Sequence, residues 1–345
     1  MPQQLVTPED ARAEAARAGI HVIPLPTPFL VGRVNCYLIE DDPLTLVDTG
    51  PNSGKALDEL ERALAARGHA VEDLELIVLT HQHIDHIGLV EVLARRSGAE
   101  VAALDRLVDY LSDYGAAAAL DDEFAVALMR RHGIPADVTE ALRAVSAAVR
   151  AWGSGTEVTR PLVPGGQLVL RDRTFEVLHR PGHSPSDTVL WDADRQLLLA
   201  GDHLIKHISS NPLVARPLPL PGEPSPADAV AARPQTLRTY QASLAQTREL
   251  PARLVLAGHG EPITDHVALI DERAAMTERR ARKIHRLLAD GPLTAYELAQ
   301  RMWGSAAVTQ AYLTLSEVLG HLDLLCLDGR VRELDDDGVV RFAAR

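Results

Sequence analysis

Aromatic side chains make up only 4% of this chain, which leaves little material for a platform on which single-stranded bases stack. Positive charge is short as well. Lys and Arg number 35 against 48 Asp and Glu, a formal net charge of -13. So acidic a protein repels phosphate backbones, which disfavours nucleic acid as a partner outside any local basic patch. Of the two cysteines, Cys36 and Cys326, both lie in apolar runs; they make no disulfide framework and are expected to be buried and free. No segment reaches the ~18 uninterrupted apolar residues of a membrane span. The residues before Ile20 lack the apolar centre that an export signal needs. A soluble, cytoplasmic protein is the expectation.

What is present is an alternation of strand and helix signals across 345 residues, enough for one large domain and a small one. Strands are expected at 21–25, 35–39 and 44–47, the last ending at Asp48-Thr49-Gly50. Leu57, Leu60 and Leu64 fall at helical spacing within 54–67, and Leu76-Ile77-Val78-Leu79 is a continuous apolar run, as in a strand covered on both faces. A helix is expected at 87–96. The alternation argues a layered α/β architecture. Residues of about 105–160 interrupt it with Ala-rich helical patterns at 116–120, 124–131 and 138–151, which reads as a helical insertion. Strands resume at 167–170, 174–178, 188–191 and 197–200. A Pro-rich stretch, 211–226, reads as an irregular loop near the site, followed by a helix at 235–250 and a strand at 253–257. Residues 1–270 are therefore expected to form the main domain. The remainder, 271–345, shows three helices and two short strands around Asp328-Gly329 and 335–338, the layout of a winged helix. A scaffolding or dimerising role suits that segment at least as well as DNA binding, because its acids and bases are about equal in number.

The chemistry concentrates in Thr80-His81-Gln82-His83-Ile84-Asp85-His86. This segment follows an apolar strand and precedes a helix, so it occupies the loop at a strand's C-terminal end, where α/β proteins place their sites. Imidazole and carboxylate are the donors that zinc and similar cations take at roughly 2 Å. His81 and His83, two apart in extended chain, project to one side and can share an ion; Asp85 and His86 follow where the chain turns into the helix and can reach another. Three further strand ends each deliver a donor: Arg180-Pro181-Gly182-His183, Ala200-Gly201-Asp202 and Ala257-Gly258-His259.

With these segments the sequence closely resembles the metallo-β-lactamase superfamily. The motif HxHxDH stands intact at 81–86, and His183, Asp202 and His259 match the remaining ligands. The resemblance implies a four-layer αβ/βα sandwich with the metals at one edge. It assigns His81, His83 and His183 to one ion, Asp85, His86 and His259 to a second, and Asp202 as the bridge. Asp48, in Val47-Asp48-Thr49-Gly50, looks like an outer partner of the ligands. The segments His285…Gly291-Pro292-Leu293-Thr294 and Gly320-His321-Leu322-Asp323 resemble the winged-helix tail of the lactamase-β-like 2 branch, whose members are often labelled glyoxalase-II-like. The helical insertion and Ser186-Asp187, where a glycine is common, depart from the plainest members.

The implied cofactors are two divalent ions, zinc foremost, with iron or manganese accepted by the same donors. Between them a water would be acidic enough to supply hydroxide at cellular pH, with Asp85 handling its proton. The expected reaction is hydrolysis of a small ester, thioester or lactone. Phosphodiesterase or endoribonuclease action, β-lactam hydrolysis, and a metal-dependent DNA-binding regulator are the alternatives. A small-molecule substrate, no membrane and a homodimer are the partner expectations. His203, Lys206, His207, Ser209 and Ser210 are candidates to line the substrate pocket, with Lys206 as an anion contact. His179 and Ser184 read as structural, and residues 105–160 with the Pro-rich loop are expected to roof the site.

Overall fold

The computed structural model describes residues 7–345 apart from 225 and 227; residues 1–6 of the N-terminal segment thus lie outside the described residues. A first sheet runs in spatial order through β1 (Ile20–Leu25), β2 (Val34–Ile39), β3 (Thr45–Val47), β4 (Leu76–Val78), β5 (Glu100–Leu104) and β6 (Arg160–Leu162). The second holds β7 (Gln167–Val169), β8 (Thr174–His179), β9 (Thr188–Asp192), β10 (Leu197–Gly201) and β11 (Leu254–Ala257), in the order β11-β10-β9-β8-β7. Strands β3 to β6 are parallel, as are β10 and β11, and the other pairs are antiparallel.

Period-two alternation explains how these apolar strands build layers. Leu76 and Val78 of β4, Leu197 and Leu199 of β10, and Leu254 and Leu256 of β11 share one core between the sheets, joined by Ala11 and Ala15 of the N-terminal helix Pro8–Arg17. The intervening residues face outward. Ile77 and Leu79 pack under helices Gly54–Ala65 and Val90–Ser97. Leu198, Val255 and Ala257 pack under helix Thr236–Arg248 and the start of helix His266–Leu287. Both faces are covered at β4, β10 and β11, which is why those strands read as unbroken apolar runs, whereas β7 and β8 alternate with exposed residues. The chain forms the expected αβ/βα sandwich.

Several local expectations need correction. The insertion carries one helix, Tyr114–Arg131, where two are expected at 116–120 and 124–131. The interrupting acids do not break it because no Gly or Pro stands there, and Asp121 and Asp122 pair with Arg216 and Arg150. The helix expected at 87–96 is two, Ile84–Ile87 and Val90–Ser97. At Gly88, between them, a Cβ would lie 2.2 Å from the Asn52 amide nitrogen and 2.4 Å from the Trp152 carbonyl. Cys36 is buried and Cys326 only half-buried. Asp328 caps a helix instead of flanking a strand. No helix among the described residues is long and apolar enough to cross a membrane.

Past β11 the elements are helix His266–Leu287, β12 (Leu293–Thr294), helices Ala295–Trp303, Ala306–Thr309 and Ala311–Leu327, then β13 (Val331–Asp336) and β14 (Val339–Ala344) joined by a two-residue turn. The three strands form a separate sheet in the order β12-β14-β13. Helix His266–Leu287 runs across the boundary expected at residue 270. Its Leu269 and Ile270 belong to the layer outside the second sheet, and its Ile284 to the C-terminal core. That C-terminal core also contains Phe124, Leu128, Met129 and Ile134. The insertion therefore packs with the C-terminal segment and shares its interior.

Candidate metal centre

Five strand ends converge on one edge of the sandwich. Asp48 leaves β3 with φ 59, a left-handed conformation that Asp tolerates better than most residues. From there its carboxylate accepts from the Thr80 amide (2.8 Å), the Thr80 hydroxyl (2.8 Å) and His86 Nδ1 (2.8 Å). One residue thus fixes both ends of the 81–86 motif. Thr49 holds the far end as well, its amide and hydroxyl each donating to the His86 carbonyl at 2.8 Å.

All seven residues singled out in the sequence come together. His81 Nε2 lies 3.0 Å from His83 Nδ1, which lies 2.9 Å from His183 Nε2. On the other side, His259 Nε2 is 3.3 Å from Asp85 Oδ2. Asp202 stands between the two clusters. Its Oδ1 is 3.5 Å from His86 Nε2, and its Oδ2 is 3.6 Å from His183 Nε2 and 3.4 Å from His259 Nε2. Three groups have donor atoms within 4.8 Å of one another: His81 with His83 and His183, His81 with His86 and Asp202, and Asp85 with His86 and His259.

The protonation pattern fits cation binding. Four histidines use Nδ1–H in a hydrogen bond that leaves Nε2 facing inward. His81 donates to the Thr80 hydroxyl (3.0 Å), His86 to Asp48 (2.8 Å), His183 to the Asn211 carbonyl (3.1 Å) and His259 to the Arg33 carbonyl (2.8 Å). A carbonyl or carboxylate can only accept, and the Thr80 hydroxyl gives its own proton to Asp48, so Nδ1 carries the proton in all four. His86 Nε2 and Asp202 Oδ1 are buried with no hydrogen-bond partner, and a cation between them supplies what such atoms otherwise lack. The residues fit divalent metal.

Electrostatics separate the two clusters. Burial holds His81 well below the ordinary imidazole range, and burial with the neighbouring His183 takes His83 down to about 3, so both are neutral donors. In the second cluster burial opposes charge but is outweighed. Asp202 and Asp85 lift His259 to about 9, and the carboxylates of Asp48, Asp202 and Asp85 raise His86. His259 and His86 in turn keep Asp202 well below the usual carboxylate range. A cation held there would have to displace the imidazole protons of His86 and His259, which would couple its binding to pH.

Sequence reasoning missed the supports that are backbone or uncharged. Asn35 Nδ2 donates to the carbonyls of Ala257 and Gly260 (both 3.0 Å), and the Tyr37 hydroxyl to that of Ala257 (2.7 Å), which fixes the turn carrying His259. At Gly258 a Cβ would stand 2.2 Å from Asp202 Oδ1 and 2.9 Å from His86 Cε1, so only glycine lets this turn pass the carboxylate. Adjacency to a ligand was the only available signal for Thr80 and Gly258.

The expected pocket residues fare unevenly. Lys206 pairs with Glu261 at 2.8 Å on the exposed surface, and so is spent on a neighbour. His203 is buried, with Nε2 2.8 Å from the Thr247 hydroxyl and its ring edge-on to Tyr240; its place is structural. His179 bonds to the Pro185 carbonyl (2.9 Å), and Ser184 to both oxygens of Asp187 (2.8 Å each), as turn residues do. Beside the His183 turn lies a cavity of about 190 Å³, lined in part by Ala215, Pro217 and Leu218 of the Pro-rich stretch and Arg106 of the insertion.

Imidazole and carboxylate converging at the strand ends of an αβ/βα sandwich define a divalent-metal centre of the hydrolytic class. Residues 30–259 match the family model of the metallo-beta-lactamase superfamily; the chain belongs to that family and is a metal-dependent hydrolase. It is 34% identical over 320 residues to the probable metallo-hydrolase YqjP of Bacillus subtilis, covering 93% of this chain and 96% of that one. Over 189 residues it is 31% identical to the acyl-coenzyme A thioesterase MBLAC2 of Bos taurus, covering 49% of this chain and 58% of that one. Among solved structures, the metallo-beta-lactamase family protein TTHA1429 from Thermus thermophilus superposes with a TM-score of 0.75 at 26% identity, covering 95% of this chain and 99% of that one.

Proposed function

We propose that this hydrolase works with two divalent ions, zinc foremost, on a small ester, thioester or lactone. His81, His83 and His183 hold one ion, Asp85, His86 and His259 the other, and Asp202 both. The observation that carries the reading is the position of Asp202, one oxygen toward His86 and the other toward His183 and His259, all within 3.6 Å. Bound there, the ions supply Lewis acidity and make water a nucleophile near neutral pH.

The chain's own groups do the rest. Burial opposes ionisation of Asp85, but His86 and His259 beside it hold its carboxyl below the ordinary value. It therefore stands ionised within the second cluster, beside His259 (3.3 Å), ready to take the proton of the attacking water. His81 and His83 are neutral donors, so an ion held beside them would supply the positive charge that polarises a substrate oxygen. The similarity to a protein named as an acyl-coenzyme A thioesterase supports an acyl substrate over a phosphodiester, as does the net charge of -13.

The C-terminal segment, a helix, a strand, three helices (one of them the four-residue Ala306–Thr309) and a hairpin, supports a winged-helix reading and so the lactamase-β-like 2 branch. A winged helix reads DNA with its last helix. Here that helix, Ala311–Leu327, is enclosed: Leu315, Val318, Leu319 and Leu322 are fully buried, and a Cβ at Gly320 would stand 2.7 Å from Leu237 Cβ. Its surroundings support a bracing role.

Metal analysis of purified protein should give close to two ions per chain. A screen across thioesters, lactones, phosphodiesters, β-lactams and single-stranded RNA should give its highest kcat/KM on an acyl compound. Full activity with one ion or none overturns the dinuclear mechanism; a phosphodiester as best substrate overturns the acyl assignment.

A further inference from the structure

Three of the four Nδ1 contacts that set the histidine tautomers come from the sandwich itself: Thr80, Asp48 and Arg33. The fourth does not. His183 donates to the carbonyl of Asn211 (3.1 Å), which sits on the irregular strap that follows Asp202. This strap is fastened to the C-terminal segment at several points. Arg273 donates to the carbonyls of Ile205 (3.3 Å), Lys206 (2.9 Å) and Ile208 (3.0 Å). Asn211 Nδ2 donates to the Leu313 carbonyl (3.1 Å), the Val214 amide to the Ser316 hydroxyl (3.2 Å), and the Tyr312 hydroxyl to the Val214 carbonyl. Val214 is fully buried in the core shared by the insertion and the C-terminal helices.

We infer that Asn211 is a positioning residue for the ion held at His183, and that the C-terminal segment sets that site through it. The inference rests on reading His183 as a ligand. A carbonyl that holds Nδ1–H fixes both which nitrogen is free and where the ring points, and both set the affinity of an imidazole for a metal. The Asn211 carbonyl is itself placed by the grip of its side chain on Leu313, so the C-terminal helix Ala311–Leu327 reaches the ligand through one residue. Among the described residues no hydrogen bond joins the strap to Asp85, His86 or His259 themselves, and the strap meets that cluster's turn at the surface, through Lys206 and Glu261 (2.8 Å).

Asn211→Ala removes the grip, Asn211→Asp replaces the donor with an acceptor of the same shape, and Arg273→Ala frees the strap at its other end. Cobalt(II)-substituted protein gives the readout, since a ligand imidazole shows its exchangeable N–H as a shifted proton resonance. The His183 signal is the one missing in His183→Ala. Both Asn211 variants should show faster solvent exchange of that signal and a loss of about 10-fold or more in cobalt affinity by chelator competition. Arg273→Ala should move both in the same direction, and the N–H signal of His86, held by Asp48, should stay in place in all three variants. Metal-free melting temperatures separate this from general loosening, because a merely structural role lowers them without selecting one imidazole. Wild-type exchange and affinity in both Asn211 variants overturn the inference. A wild-type chain that takes one cobalt ion overturns the dinuclear reading alone, since the His183 signal is still compared; wild-type protein with no cobalt overturns both.

Discussion

The edge of the sandwich and the core of the C-terminal segment are both built from residues far apart in sequence, yet one is assembled from polar donors and the other from apolar filling. In the first, each side chain has an orientation: His183 and Asp202 serve only if particular atoms face each other. In the second, Phe124, Leu128, Leu298, Leu319 and Phe342 need only volume and a common face. The difference teaches where each region fails. The metal centre loses function to a small change with little loss of stability, and the apolar core does the reverse.

His83→Ala tests the first half of that contrast most severely. It removes an imidazole from the tightest cluster, and hydrolysis should fall well beyond the ~10–100-fold that loss of an outer partner costs, with little change in metal-free melting temperature; near-normal turnover would break the assignment. Phe342→Ala tests the other half. Phe342 is fully buried in the C-terminal core, and truncation should cost about 3–5 kcal/mol of stability by denaturant titration. A cost under ~1 kcal/mol would show that this core contributes little.

Asp48→Asn sharpens the comparison, because it keeps shape and tolerates the same backbone while weakening the hold on His86 and Thr80. Metal affinity or kcat should drop about 10–100-fold at unchanged fold. The smallest expected effect concerns pH. His132 is buried beside Phe342 and is driven from its ordinary 6.5 to about 3 by burial, then by Arg233 and Arg131. The unfolded chain binds this proton below 6.5 and the folded chain only near 3, so the stability involved is present above 6.5 and lost as pH falls. At pH 5.5 the loss should be about 1.4 kcal/mol. His132→Gln should flatten that slope between pH 6.5 and 5; an unchanged slope means another group supplies it.

How much could be read in advance follows the same line. The donors were legible because His81, His83, Asp85 and His86 crowd into six positions with no packing reason to do so. The layers were legible because strands such as Leu197–Gly201 are apolar on both faces. The supports of His183 and His259 are backbone carbonyls of Asn211 and Arg33, and a carbonyl leaves no trace in residue type. Nor did any signal join Phe124 to Phe342, since apolar periodicity names a buried face without naming what covers it. The boundary expected at 270 follows the change in composition, while the helix His266–Leu287 continues through it to serve both cores.

Gly258 carries one further consequence. Redesign of such an enzyme for a new substrate usually protects the ligands and varies what surrounds them. A library built that way would treat position 258 as open, a residue with no side chain and no chemical duty. Yet the space a methyl group would fill there already belongs to the Asp202 carboxylate, 2.2 Å away. Gly258→Ala would therefore silence the centre as a ligand mutation does, by pushing Asp202 aside while every ligand is still present in the sequence.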